Sequence, residues 1–117
     1  MTDRKALGAR GEALAAEHLA AAGMQIVCRN WRCRYGEIDL IMRDGRTVAF
    51  VEVKTRTGLG YGLPTESVTL EKQARIRRLA VMWLAEQPGW VEVRFDVVAV
   101  LLQRGYAPVI EHLPAVF

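Results

Sequence analysis

The chain has 117 residues, of which 51% are hydrophobic and 25% charged, which excludes a disordered polymer and fits one globular domain over residues 1–117 with a core of its own. Thirteen arginines and three lysines against thirteen acids leave a net charge of +3, a hint of phosphate recognition that ordinary solubilising charge explains first. Two cysteines exclude a disulfide scaffold, and with no second ligand pair after Cys28 and Cys33 they read as thiols of a reducing compartment rather than a zinc knuckle.

Residues 1–10 carry Asp3, Arg4, Lys5 and Arg10 with no apolar segment behind them, unlike a secretory signal. The apolar runs 79–85 and 97–102 fall far short of the roughly 18 residues of a membrane span, so a soluble, cytoplasmic protein without a membrane partner is expected. Residues 5–22 predict a helix with Leu7, Leu14, Ala15, Leu19 and Ala22 on one side, small residues Gly8 and Gly11 allowing close packing, and Gly23 as its stop. Glu12 falls at the margin of that stripe, where its carboxylate points along the packed face towards a sheet. His18, nearer the middle, reads as a packed, hydrogen-bonded residue.

Residues 24–28 predict a short strand and 29–34 an arginine-rich connection containing Trp31, with Tyr35 beyond it. The next stretch alternates, with Glu37, Asp39 and Ile41 on one face and Ile38, Leu40 and Met42 on the other. Asp44-Gly45 is a hairpin signal and makes 47–54 the returning strand. A two-residue turn there sets Asp39 opposite Phe50 and Glu37 opposite Glu52, giving a face of Glu37, Asp39, Ile41, Val48, Phe50 and Glu52 that Lys54 continues. Residues 55–64, with Gly58, Gly60 and Gly62, read as a mobile loop.

Ser67 or Thr69 can cap a second helix that runs to about residue 87 and stops at Pro88-Gly89. Its inner face is Ile76, Ala80, Trp83 and Leu84; Arg75 and Arg78 lie outward and Lys72 on one flank. Residues 91–101 predict a long strand and 106–113 a last one, with Pro108 suited to an edge. A helix crossing between strands makes them parallel, so the fold class is α/β: a central mixed sheet flanked by helices, in the order α-β-β-β-α-β-β, with the second hairpin strand parallel to the fourth.

The hairpin carries an unusual load for a packing surface. Asp39 and Glu52 stand on adjacent strands at diagonal positions, about 7 to 8 Å apart between alpha carbons, within reach of one cation. Like charges so close oppose folding unless neutralised, and an all-oxygen donor set favours Mg²⁺ or Mn²⁺ over zinc. Lys54 would stand beside such a site and offset charge on a phosphate or position water. The competing reading is a solvent-facing sheet laced by Glu and Lys pairs.

The text Gly36-Glu37-Ile38-Asp39-Leu40-Ile41, followed by Phe50-Val51-Glu52-Val53-Lys54-Thr55-Arg56, resembles the YraN-like family of largely uncharacterised bacterial proteins. So do the Gly-x-x-Gly-Glu-x-x-Ala pattern within Gly8 to Ala16, Arg29-Asn30-Trp31-Arg32 and Arg94-Phe95-Asp96. That family looks like a branch of the restriction-endonuclease-like, or PD-(D/E)xK, nucleases and is similar to archaeal Holliday junction resolvases. The resemblance implies that Asp39 and Glu52 bind the metal, that Lys54 is the catalytic lysine and that Glu12 completes the acidic site. Gly36-Glu37-Ile38 replaces the proline-containing lead-in of the name-giving motif.

The implied reaction is hydrolysis of a DNA phosphodiester with Mg²⁺ or Mn²⁺ as cofactor, possible substrates including branched or junction DNA. Glu37 is a supporting carboxylate, and Lys72 and Gln73 stand near enough in the second helix to approach a phosphate. Arg29, Arg32, Arg34 and Arg56, with Trp31 and Tyr35, flank the site in sequence and are candidates for phosphate contact. Trp31 reads first as core, and Asp96 as a structural partner for an arginine. Cutting two strands would need two copies, so a homodimer is expected, and other DNA-processing proteins are conceivable partners. The alternative is a nucleic-acid-binding protein that keeps the fold without catalysis.

Overall fold

The computed structural model describes residues 3–58, 63–89 and 91–117. Helix α1 (Arg4–Ala21) is followed by three strands, β1 (Gln25–Cys33), β2 (Gly36–Asp44) and β3 (Thr47–Arg56), a short 3-10 turn (Pro64–Ser67), helix α2 (Leu70–Leu84), and strands β4 (Glu92–Leu101) and β5 (Val109–Leu113). The expected order of elements is therefore observed. The five strands form one mixed sheet in the order β1-β2-β3-β4-β5, all neighbours antiparallel except β3 and β4. Among the described residues, no helix is long and apolar enough to cross a membrane.

Each helix covers one face of the sheet. On the α1 face, Ala15, Ala16 and Leu19 pack with Leu40, Met42, Ala49, Val51, Val98 and Val100. On the α2 face, Ile76, Leu79, Ala80 and Trp83 pack with Ile38, Ile41, Val48, Phe50 and Val97. Phe50 is fully buried there, edge-on to Trp83 at 5.8 Å and stacked on Phe95 at 5.7 Å between ring centroids, the offset geometries that aromatic quadrupoles favour. Asp3 caps α1 by accepting from the Lys5 N–H and Thr69 caps α2 by accepting from the Lys72 N–H.

Several expectations need correction. The strand predicted over 24–28 runs on to Cys33, so the arginine-rich stretch is an edge strand rather than a connection; a bulge between Ile26 and Cys28 and a left-handed Asn30 (φ 53°) let it follow the twist of its partner. The hairpin turns about Gly45 and Arg46 rather than Asp44 and Gly45: Asp44 pairs with Thr47 and Ile41 with Phe50. Gly45 takes φ 61°, at the first loop position where two-residue hairpins accept a left-handed glycine. A shift of two residues leaves side chains on their predicted faces, and continuing it sets Asp39 directly opposite Glu52 instead of Phe50.

The strict alternation of β2 also fails. Ile38 packs with the α2 cluster while Leu40 and Met42 pack with α1, so the strand rolls over at Asp39, beside the left-handed Asn30 of β1. Helix α2 ends at Leu84, short of the predicted 87; Leu79 joins Ile76, Ala80 and Trp83 as buried residues of its inner face, and Leu84, half-buried, packs against the same cluster as expected. His18 is exposed, not packed. Thr55 and Arg56 belong to β3, and of the predicted loop Gly60 and Gly62 lie outside the described residues.

Gly11 fixes how α1 sits on the sheet, because a Cβ there would overlap the Thr55 hydroxyl of β3. Alanine normally strengthens a helix by about 1 kcal/mol over glycine. Here Gly11→Ala is expected to destabilise the protein by about 1–3 kcal/mol through overpacking, and adding Thr55→Ala is expected to recover part of the loss. Urea unfolding of the four proteins in a double-mutant cycle checks this; additive effects, or a Gly11→Ala protein more stable than the parent, would count against the contact.

Candidate functional site

The ladder between β2 and β3 ends at Leu40 and Val51. Upstream, β2 remains paired to β1 as far as Gly36, and downstream β3 remains paired to β4 as far as Arg56. The sheet therefore forks between β2 and β3, and at the mouth of the fork the Val53 N–H has lost its ladder partner. The Asp39 carboxylate accepts from it at 2.8 Å. A side chain thus replaces a missing backbone acceptor, which explains why an acid is drawn into the sheet.

Three more carboxylates surround Asp39. Glu12 arrives from α1, positioned by the neighbouring Gly11 contact, and single carboxylate oxygens of Glu12, Glu37 and Asp39 lie within 4.8 Å of one another. Glu52 acts electrostatically on both Asp39 and Glu12. The outer three each have a partner: the Asn30 side chain and the Arg29 charge favour the ionised form of Glu12, Arg32 Nε meets Glu37 at 2.6 Å, and Lys72 Nζ meets Glu52 at 2.6 Å. Among the described residues, Asp39 has only the Val53 amide.

The electrostatic result follows. Burial, then the charge of Glu52, pushes the Asp39 carboxyl from 3.8 up to about 8, with Glu12 and Glu37 adding to the rise and the Val53 bond opposing it. Burial and the neighbouring Glu37 likewise raise Glu12. The cluster is a pocket of negative charge with too few cations.

Above it opens a cleft of about 590 Å³ lined by residues of α1, β3 and the start of α2, among them Glu12, Glu52, Lys54, Arg56 and Lys72. Lys54 is half-buried and, among the described residues, makes no ion pair. Arg56 donates to the Leu63 carbonyl at 3.1 Å. The fold thus gathers Glu12, Asp39, Glu52, Lys54, Arg56 and Lys72 in one place. Arg29, Arg32 and Arg34 lie along the exposed edge strand or the turn after it, outside the cleft; Arg34 stacks over Tyr35 at 5.2 Å.

Trp31 packs against the α2 cluster, as expected of a core residue. Asp96, fully buried, accepts from Arg94 Nε and the Ala115 N–H, both at 3.0 Å, and lies 2.7 Å from His112 Nε2; it is the structural partner of an arginine. Gln73 turns back to the Val68 carbonyl at 3.0 Å. Asn30 was missed as a site residue, although asparagine is among the side chains that tolerate the left-handed backbone it adopts here.

The Asp39 shift makes stability depend on pH. A carboxyl whose pKa is raised on folding contributes stability that is fully present below about pH 4 and is lost as pH rises through about 8. Asp39→Asn keeps an oxygen for the Val53 N–H and removes the titration. In EDTA its thermal midpoint should vary less between pH 4 and 8 than that of the parent and exceed it at pH 8, on the order of 5 °C. Parallel pH curves for the two proteins would contradict the assigned environment.

Residues 11–100 match the family described as "Uncharacterised protein family UPF0102". A protein of Nocardia farcinica is 66% identical over 116 residues, covering 98% of this chain and 91% of the relative. One of Rhodococcus opacus is 58% identical over 118 residues and all of both chains, and one of Acidothermus cellulolyticus is 50% identical over 125 residues, covering 97% and 95%. All three carry the name "UPF0102 protein". With a match across most of its length and relatives this similar, the chain belongs to the UPF0102 family.

Proposed function

We propose that this protein is a divalent-metal-dependent endonuclease that hydrolyses DNA phosphodiesters, built on the restriction-endonuclease-like fold that its hairpin motif resembles. The observation that carries this reading is the half-buried Asp39 carboxylate, surrounded by three further acids and, among the described residues, paired with no side-chain cation. The donor set fits the cofactor: it consists of carboxylate oxygens without thiolate or imidazole, which suits Mg²⁺ or Mn²⁺. Asp39, Glu52 and Glu12 would hold the ion, with Glu37 near enough to support them. A divalent cation bound there polarises a phosphate oxygen and acidifies a water molecule.

The chain's own residues do the rest. Lys54, unpaired among the described residues and facing the cleft, offsets negative charge on the phosphate oxygens. Arg56 and Lys72 supply further positive charge in the same cleft. Arg29, Arg32 and Arg34, on the exposed side of the fork, bind the backbone of the nucleic acid farther from the scissile bond. Paired cutting of two strands would use a homodimer, since each chain carries one such site.

One observation favours a second reading, a non-catalytic nucleic-acid-binding protein: Glu37 and Glu52 already carry cationic partners at 2.6 Å. The two readings separate in a cleavage assay with Mn²⁺ on linear, flapped and four-way DNA, with RNA alongside. Catalysis predicts that Asp39→Ala and Glu52→Ala lose at least about a hundredfold in rate, and Lys54→Ala about a hundred- to a thousandfold. An inactive parent, or variants as active as the parent, would support the second reading. Under either reading Arg29→Ala and Arg34→Ala weaken binding and reduce the dependence of log K on log salt by up to about 1 each.

A further inference from the structure

The Lys72–Glu52 pair stands apart from the other ion pair at the site. Arg32 and Glu37 meet on an exposed edge, with side chains 71% and 32% accessible, where solvent screens the attraction. Lys72 and Glu52 are 30% and 13% accessible, so their attraction is less screened and displacing either partner costs more. Lys72 is also misplaced for its helix. It is the third residue of α2, in the first turn, where the helix dipole disfavours a cation, and its amide is held by the Thr69 cap at 3.2 Å. The backbone thus fixes Lys72 at the rim of the cleft, and Glu52 accounts for its charge.

We propose that Lys72 is a built-in counter-cation: it holds Glu52 while the acidic cluster is without metal, and it must release Glu52 before a divalent cation can use that carboxylate. The inference rests on the metal-site reading and adds a regulatory coupling to it. Lys72 lines the same cleft as Lys54 and Arg56, so an ammonium released from Glu52 is available to a phosphate. Metal occupation frees the lysine for substrate, and a bound phosphate keeps the lysine away from Glu52. By linkage each ligand then raises the affinity for the other. Lys72 acts on the metal through Glu52 and on the phosphate directly.

Mn²⁺ alone is the probe, with free ion measured by electron paramagnetic resonance during titration of the full chain. Lys72→Met is expected to bind Mn²⁺ roughly tenfold more tightly than the parent, and Lys72→Arg, which keeps the pair, to bind like the parent. A general loss of positive charge would also favour the ion, so the decisive comparison is made in a Glu52→Gln background. There Lys72→Met should give no gain, whereas a field effect on Glu12, Glu37 and Asp39 would persist. Equal affinities for the parent and Lys72→Met, or the same gain with and without Glu52, overturn the counter-cation role while leaving the metal site standing. Absence of Mn²⁺ binding by both the parent and Lys72→Met overturns the metal site as well; binding by Lys72→Met alone supports both.

Discussion

The hydrogen bond from the Val53 amide to the Asp39 carboxylate is the constraint around which the rest of the site is arranged. It exists because β2 and β3 stop pairing after Leu40 and Val51 while each stays paired to its outer neighbour. A fork in the middle of a sheet leaves backbone donors that must be satisfied, and a side-chain acceptor does so over a short distance. The cost is electrostatic, since the acceptor is an acid in a poorly solvated place. Burial and Glu52 hold it largely protonated near neutral pH unless a cation compensates.

Packing around the fork supports this arrangement from both sides. Ile38 rolls towards α2, and Thr55 presses on Gly11 of α1, so the arms of the fork are held by different helices. The same contacts deliver chemistry: Gly11 brings Glu12 to the cluster, and the capped start of α2 brings Lys72 to Glu52. Charge is graded accordingly. The outer acids are matched by Asn30, Arg29, Arg32 and Lys72, and the deficit is concentrated on Asp39. The net charge of +3 conceals this division between an acidic centre and a basic surround.

Much of the fold was legible because its signals are local: the apolar stripes of the helices, a glycine at the hairpin turn, the Thr69 cap, and a crossover helix that imposes the parallel β3–β4 pair. The hairpin register was not, because two turns one residue apart both place Gly45 at a left-handed position and both preserve the faces. The roll of β2 at Asp39 depends on where a ladder ends, which is a tertiary property. At the site, Asp39, Glu52 and Lys54 stood out as charges where apolar residues belong. Glu37 reads from the sequence as a supporting carboxylate, yet one of its oxygens lies within 4.8 Å of those of Glu12 and Asp39, brought there by the same roll. Asn30 carried only the weak signal of its residue type, and Lys72 gained its significance from a contact with a residue twenty positions away in sequence.

The central claim is that this acidic cluster holds a divalent cation through Asp39. Crystals soaked in Mn²⁺ test it directly through the anomalous scattering of the ion. The account predicts an anomalous peak within coordination distance of the Asp39 carboxylate, shared with Glu52 or Glu12 and absent from Asp39→Asn crystals. Crystals whose anomalous map is empty at Asp39, or whose peak there survives the substitution, would contradict it.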